Sequence, residues 1–302
     1  SKNFFLSNFD GSFNVSSSGS HSIKNTNVSS SSISNNLSYD SLDFYTDNGV
    51  VTNYNFIFQN SNTMSDNSLK YKNTPQSEVI SSYFYNVSIP FQKKTKDRQN
   101  ILVPKLNFRL SPHDMKKNAN RSAKVSIGNV FSNNRLGLIE TGESITLGVS
   151  FKKQKINQIS EMIEIEGVRT DYENLTSSEI EVELKDDSNF KKEMVDEIED
   201  YIDFSLATVF RFNKEENIPT NSTVGEKNSN IFGSAQYKPI KDITLGYGFS
   251  LANDFNIIES HNINAEYLTE NFSTDFSFSE EAGILGDSNV ISNVTKLIDF
   301  KD

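Results

Sequence analysis

The sequence lacks cysteine and tryptophan entirely among its 302 residues. Without cysteine, the chain has no disulfide framework, no thiolate metal site and no cysteine nucleophile. It also lacks any unbroken apolar run of about 18 residues, so a transmembrane helix is excluded. Only 6 prolines and 14 glycines are present, which excludes collagen-like and linker chains.

The composition also limits the core and the partners. Hydrophobic residues make up 35% of the chain, so a thick, sealed core is not expected. Aromatic residues reach 11%, which argues against a disordered chain. The net charge of -11 disfavours nucleic acid, whose binding requires a basic surface. The chain begins at Ser1 without a signal peptide, and we expect a fragment or a processed piece.

The dominant pattern is an alternation of period two. In Ile243–Leu251 the odd positions are large and apolar, whereas the even positions are small or polar. Because successive side chains of a strand point to opposite sides, each such segment has one apolar face and one polar face. The same pattern occurs at 83–91, 102–110, 145–151 and 202–212, with shorter copies at 54–58 and 272–278.

These segments are about nine to eleven residues long, the length of a tilted strand that crosses a bilayer. We therefore predict an all-β chain: a partial antiparallel transmembrane β-barrel over residues 1–302, with roughly a dozen strands. Lipid would contact the apolar face and water the polar face. A soluble all-β domain, such as a β-sandwich adhesin, remains an alternative.

The connections alternate between short and long. Tight turns are predicted at 238–242 and 92–99, and long polar loops at 112–142 and 213–229, which places the long loops on one side. Residues 10–48 are rich in serine and asparagine and indicate only weak strands. Residues 155–201 form an acidic insert, interpreted as a hairpin extension followed by a short helix, because Phe190, Met194, Val195 and Ile198 have helical spacing.

No pattern favours catalysis, a cofactor or a metal. His21, His113 and His261 are scattered, and no Gly-x-Ser-x-Gly motif supports a hydrolase. We predict that the chain is not an enzyme. An acidic ridge could collect divalent cations, although a solvated face explains it better. The ridge consists of Glu164, Glu166, Glu179, Glu181 and Glu183.

Two further features concern the barrel wall and its mouth. Pro90 and Pro104 lie within strand-like segments, where they indicate an edge or bulge rather than a seam that opens. The loop after Pro112 is basic and could contact lipid phosphates or partner loops, with a mixed-charge loop as the equal alternative. Its cations are Lys116, Lys117, Arg121, Lys124 and Arg135.

One segment of this loop carries a resemblance to a known family. Residues 129–137 read Asn-Val-Phe-Ser-Asn-Asn-Arg-Leu-Gly, and they resemble the Asn-(Ile/Val)-Phe-Ser-x-Asn-Arg-(Leu/Phe) motif of the LptD family of lipopolysaccharide-assembly proteins. The segment 102–106 is similar to the family's Leu-x-Pro-(Lys/Arg) strand, and 206–211 to its next block. The resemblance covers about residues 75–300. The motif residues are Asn129, Phe131, Ser132, Asn134, Arg135, Leu136 and Gly137.

The resemblance implies a role in the outer membrane of a Gram-negative cell. The family forms a barrel that receives lipopolysaccharide from an LptA-like periplasmic bridge and releases it into the outer leaflet. An LptE-like lipoprotein plugs the barrel. The family carries further strands and a periplasmic domain, so this chain resembles an internal portion. A porin-like diffusion pore is the alternative function, and an outer-membrane hydrolase a more distant one.

Overall fold

The computed structural model describes residues 2–5, 10–24, 27–68, 70–114, 124–137, 139–164, 190–282 and 287–297. For 2–5, 157–164 and 190–197 it describes the backbone alone. These residues form strands, turns and one short 3₁₀ turn at Thr220–Ser222. Within the described part of the chain, no helix is both long and apolar enough to span a bilayer.

The described residues build one sheet of 15 strands. The strands are β1 (Lys2–Phe5), β2 (Gly11–Lys24), β3 (Val28–Ser41), β4 (Phe44–Tyr45), β5 (Val51–Asp66), β6 (Gln76–Ser88), β7 (Phe91–Lys94), β8 (Arg98–Ser111), β9 (Gly142–Glu164), β10 (Phe190–Arg211), β11 (Ile231–Ile240), β12 (Ile243–Leu251), β13 (Ile258–Leu268), β14 (Phe272–Glu281) and β15 (Ser288–Leu297).

The long strands pair antiparallel in chain order, and the two short strands lie off this path, β4 paired with β5 and β7 with β8. This meander confirms the predicted all-β antiparallel architecture. Among the described residues the sheet is open, with β1 and β15 as its edges. The serine- and asparagine-rich segment contributes more than the sequence indicated, because β2 and β3 are 14 residues long and paired along their full length.

The strand directions define two ends of the sheet. The end of β8, the start of β9 and the connection 212–230 lie at one end, which we call the loop end. At the opposite turn end, β11 and β12 are joined by Lys241 and Asp242 alone, and β7 and β8 by 95–97. The long polar loops therefore share one side, as predicted.

The two faces of the sheet differ as the alternation predicted. On the apolar face, Leu147 and Leu245 are 41% and 42% exposed. Their neighbours Thr146 and Thr244 on the polar face are 0% and 8% exposed. Large apolar side chains thus point away from the buried side of the sheet, the reverse of a water-soluble sandwich.

The strand register aligns these faces into rows. One row on the apolar face crosses nine strands through side chains that lie directly opposite one another: Phe91, Leu102, Phe151, Phe204, Ala235, Tyr247, Ile263, Phe278 and Ile291. The adjacent row on the polar face contains Ser150, Ser205, Ser234, Gly248, Asn262 and Ser279. A shift of one residue along the strands changes the surface from apolar to polar across the sheet.

The acidic insert differs from its interpretation in one respect. The predicted helix near Phe190–Ile198 is wrong, because this segment belongs to β10 and pairs with β9 from Phe190 opposite Glu164 to Ile198 opposite Ile156. A helix there would leave the backbone groups of the β9 extension unpaired, and the ladder outweighs the helical spacing. The two strands extend past their neighbours at the turn end, and residues 165–189 lie outside the described part of the chain.

The two strand prolines lie at neighbouring positions of one ladder. Pro90 occupies the break between β6 and β7, and Pro104 lies within β8, between β6/β7 and β9. The N–H of Ile89 donates to the carbonyl of Pro104 at 3.2 Å. Because proline has no N–H, the reciprocal bond to Ile89 is missing, but pairing resumes on both sides of this point.

Candidate functional site

A segment of the long loop lies on the polar face of the sheet. We call residues 124–137 and 139–141 the inner loop. The ring of Phe131 lies over Gly148 of β9 so closely that a Cβ added there would be 2.7 Å from its Cζ atom. Only glycine allows this approach, because any side chain at position 148 would displace the ring.

The inner loop shares a small apolar core with the second long loop. We call it the loop core. In this core, side chains of both loops pack on residues of β10 and β11 that face the polar side, where Val209 is fully buried. Its buried members are Val125, Val130, Leu136, Ala207, Val209, Ile218, Val224 and Phe232.

The motif residues set the conformation of the inner loop. The side-chain carbonyl of Asn129 accepts from the N–H of Ser126 at 2.9 Å, and its amide donates to the carbonyls of Lys124 and Arg135 at 3.1 and 3.4 Å. The hydroxyl of Ser132 accepts from the N–H of Asn134. Gly137 has a φ of 69°, which favours glycine, and donates to the carbonyl of Asn134. The motif is thus a local folding unit.

Three arginines surround one glutamate beneath this loop. We call Arg109, Arg135, Arg211 and Glu140 the ion cluster. Arg135 binds Glu140 with two nitrogens, Nε to Oε1 at 2.5 Å and Nη2 to Oε2 at 2.8 Å. Arg109 Nη1 lies 3.1 Å from Oε1, and Arg211 Nη1 3.2 Å from Oε2. All four side chains are almost completely buried.

The cluster joins the loop to two strands of the wall. Arg109 belongs to β8 and Arg211 to β10, whereas Arg135 and Glu140 belong to the loop. Arg109 Nη2 donates to the carbonyl of Ser132 at 2.9 Å, and Arg211 Nη2 donates to the carbonyl of Thr141. The guanidinium of Arg109 also lies 4.8 Å from the ring of Phe84.

The electrostatics of the cluster keep Glu140 ionised. Burial alone raises the pKa of its carboxyl, but the positive charges of Arg109, Arg135 and Arg211, with the hydrogen bond from Arg135, together lower that pKa to about 2. Three cations and one anion leave the buried cluster with a net positive charge. Each arginine therefore depends on this single carboxylate for compensation.

The arrangement holds the inner loop against the sheet. One bidentate contact from Arg135 and single contacts from Arg109 and Arg211 meet on the carboxylate of Glu140, and the latter two tie the wall to the loop, so the attachment depends on all four side chains. The described residues contain no cluster of three potential metal ligands. His261 lies at the border of the apolar face, with Nε2 2.8 Å from Glu280 Oε2.

Of the five basic residues predicted at the outer mouth, the structure describes two, Lys124 and Arg135. Lys124 pairs with Glu281 of β14 and stays more than half exposed. Arg135 is buried against Glu140, so its guanidinium does not reach lipid phosphates in this conformation, and that part of the interpretation is corrected. Lys116, Lys117 and Arg121 lie outside the described residues, as do the side chains of the acidic ridge.

Sequence reasoning missed Arg109, Arg211 and Glu140 as site residues. Arg109 and Arg211 do fall on polar positions of alternating strands, each one residue from the apolar face. The available signal was two cations on the polar face near the loop end, together with a Glu shortly after the motif. Nothing in the spacing shows that they meet, because that depends on how the loop folds.

A scan against protein-family models finds no family that matches the chain, and a search of curated proteins finds no matching relative. The resemblance to the LptD family therefore rests on the sequence segments 102–106, 129–137 and 206–211 alone.

Replacement of Gly148 by alanine should displace the inner loop. The added Cβ would lie 2.7 Å from Phe131 and 2.9 Å from the carbonyl oxygen of Leu206, and overpacking of this kind costs about 1–3 kcal/mol. We expect faster hydrogen exchange in 124–137. Gly128→Ala is the matched control, because its Cβ would meet only Ser126 at 3.7 Å. Equal exchange in both variants would contradict the packing of Phe131 on β9.

The ion cluster should remain intact in mild acid. Because the pKa of Glu140 is lowered from 4.5 to about 2, its contribution is complete above pH 4.5 and is lost as the pH falls through about 2. Pepsin should therefore cleave the inner loop slowly at about pH 4 and rapidly at about pH 2. In Glu140→Gln, cleavage should be rapid at both. Full cleavage of the wild type near pH 4 would refute the lowered pKa.

Proposed function

We propose that the chain is part of an outer-membrane barrel that inserts lipopolysaccharide into the outer leaflet of a Gram-negative cell. The observation that supports this most is the apolar row across nine strands, beside a polar row on the other face. Strands such as β11, β12 and β14 are 9 or 10 residues long, which suits a tilted crossing of the hydrocarbon layer.

The polar face suits the hydrophilic part of a glycolipid. Beyond the inner loop it carries amides and hydroxyls, with Asn107 donating to Asn86 at 2.6 Å and Asn86 donating to Asn53 at 2.7 Å. A cavity of about 340 Å³ lies between the inner loop and β11–β13, lined by residues such as Ser126, Gln236 and Asn262. Neutral hydrogen-bonding groups of this kind match sugar hydroxyls.

The partners follow from the same proposal. An LptE-like lipoprotein would occupy the interior, and an LptA-like bridge would deliver lipopolysaccharide from the periplasm. The motif with the family resemblance forms the inner loop. We therefore propose that the motif has a structural role, which is to hold this loop in place beside the interior. We assign the chain no catalytic step.

Depletion of the protein in the organism that encodes it provides the test. We expect newly made lipopolysaccharide to stop reaching the cell surface and to accumulate in inner-membrane fractions, as measured by pulse labelling and membrane fractionation. Expression of the complete gene should restore export, whereas expression of an unrelated porin should not.

A diffusion pore gives the opposite pattern. Normal lipopolysaccharide export after depletion, together with single-channel conductance of the purified protein, would refute the proposal and support the porin-like alternative. The locked inner loop argues against free passage along the part of the interior that it covers.

A further inference from the structure

The apolar face carries a group of cations at the turn end of β7–β9. We call it the basic girdle: Lys93, Arg98, Lys153 and Lys155, with the rings of Tyr201 and Tyr237 beside it. Lys93 and Lys153 both lie opposite Asn100 of β8, and Arg98 lies opposite Lys155. All of them share the face of Phe151 and Leu102, because they are an even number of residues away.

The girdle is arranged around an aromatic pair. Lys155 Nζ lies 4.3 Å and Lys153 Nζ 5.7 Å from the centre of the Tyr201 ring. Tyr201 meets Tyr237 edge to face at 5.3 Å between ring centres. Tyrosines and lysines at this position are typical of the border between hydrocarbon and headgroups.

Like charges face each other directly within the girdle. Arg98 and Lys155 occupy one cross-strand pair, and Glu199 of β10 lies opposite Lys155 on its other side, so one carboxylate residue faces these two cations. Arg98 lies 3.4 Å from Asp97, but both side chains are largely exposed and such a contact contributes little. At the loop end of β9, the corresponding side chain on this face is Glu143, so the excess of cations belongs to the turn end.

A cleft opens beside the girdle. It has a volume of about 210 Å³ and lies between the extended β9–β10 ladder and the β11–β12 turn. Lys155, Lys238 and Lys241 line it, with Glu199 and Asp200. The three cations outnumber the two anions, so the cleft has a net positive charge that one anionic group would neutralise.

We infer that the basic girdle and its cleft bind the phosphate headgroup of an anionic phospholipid whose acyl chains lie along the apolar face. Phe151 is two residues from Lys153, roughly 7 Å along the strand, so one molecule can contact both. A soluble anion or an acidic protein would use the cations but would gain nothing from the adjoining apolar row. This inference requires that the chain lies in a membrane, as the proposed function states. It does not depend on the transport of lipopolysaccharide.

The test uses protein purified from the complete gene and added to two kinds of vesicle, phosphatidylcholine alone and phosphatidylcholine mixed with phosphatidylglycerol. After gentle detergent extraction, the lipid that remains bound is measured. We expect phosphatidylglycerol to be enriched over its share in the vesicle. In the double variant Lys153→Gln/Lys155→Gln, the affinity of the protein for phosphatidylglycerol should fall by about fivefold for each lysine removed.

Lys70→Gln/Lys72→Gln is the matched control, because it removes the same charge from the connection between β5 and β6 at the loop end. It should retain phosphatidylglycerol like the wild type. Insertion into both vesicles without enrichment, or equal loss in both double variants, would overturn the lipid site alone. Failure to enter either vesicle would overturn the membrane placement and the lipid site with it.

Discussion

Glu140→Gln should release the inner loop from the wall. The substitution preserves the size of the side chain but removes the only negative charge of the ion cluster, which leaves three buried arginines uncompensated. Removing one partner of a buried charge network costs about 3–5 kcal/mol. We expect hydrogen exchange in 124–141 to accelerate strongly, while the ladder between β12 and β13 keeps its protection.

The control for this variant lies three residues away. Glu143→Gln removes the same charge from an exposed side chain on the other face of β9, and its effect should stay within about 0.5 kcal/mol. If Glu140→Gln and Glu143→Gln left the inner loop equally protected from hydrogen exchange, the ion cluster would not be what holds this loop against the sheet. Arg135→Met should resemble Glu140→Gln in the loop, since Arg135 provides the two shortest contacts.

Leu147→Arg should block membrane insertion. Leu147 lies on the apolar face of β9, within the alternating segment 145–151, opposite Leu106 of β8 and Thr208 of β10. If this face contacts lipid, a charge at this depth costs about 2–4 kcal/mol. We expect a large fall in the fraction of protein that floats with vesicles and shows heat-dependent gel migration.

The matched variant places the same charge on the other face. Gln236→Arg changes an exposed side chain on the polar face of β11, where the guanidinium would contact water, and insertion should be unaffected. In a water-soluble protein, Leu147→Arg would also be benign, because a side chain that is 41% exposed tolerates a charge. Normal behaviour of Leu147→Arg would thus contradict the proposed lipid contact.

Much of the sheet was predictable because alternation is a local signal. The strands around 102–110, 145–151 and 243–251 are marked by large apolar residues at every second position, and all three occur at those places. β2 and β3 were only weakly indicated, because their serine and asparagine side chains carry little hydrophobic contrast. Their pairing is supported by contacts such as Ser17 donating to Asn35 at 2.7 Å, which no single strand reveals.

The site was less predictable because it depends on contacts distant in the chain. The motif residues 129–137 were recognised, but their role in shaping the loop emerges only with the hydrogen bonds of Asn129. Arg109 and Arg211 are separated by about a hundred residues, and they meet only because β8, β9 and β10 are adjacent. The helix expected near Phe190 failed for a related reason, since pairing with β9 decides the conformation.

A single-cysteine scan of β13 tests the central claim most directly, and the chain has no native cysteine to interfere. A spin label is placed in turn at 262–267 in protein inserted into vesicles, and its collisions with oxygen and with a water-soluble nickel chelate are compared. We predict that labels at Ile263, Ala265 and Tyr267 collide more with oxygen than with the nickel chelate. Labels at 262, 264 and 266 should collide more with the nickel chelate, so that the preference alternates along the strand. Nickel access that is high at both sets of positions would contradict the account, because the apolar face would then lie in water.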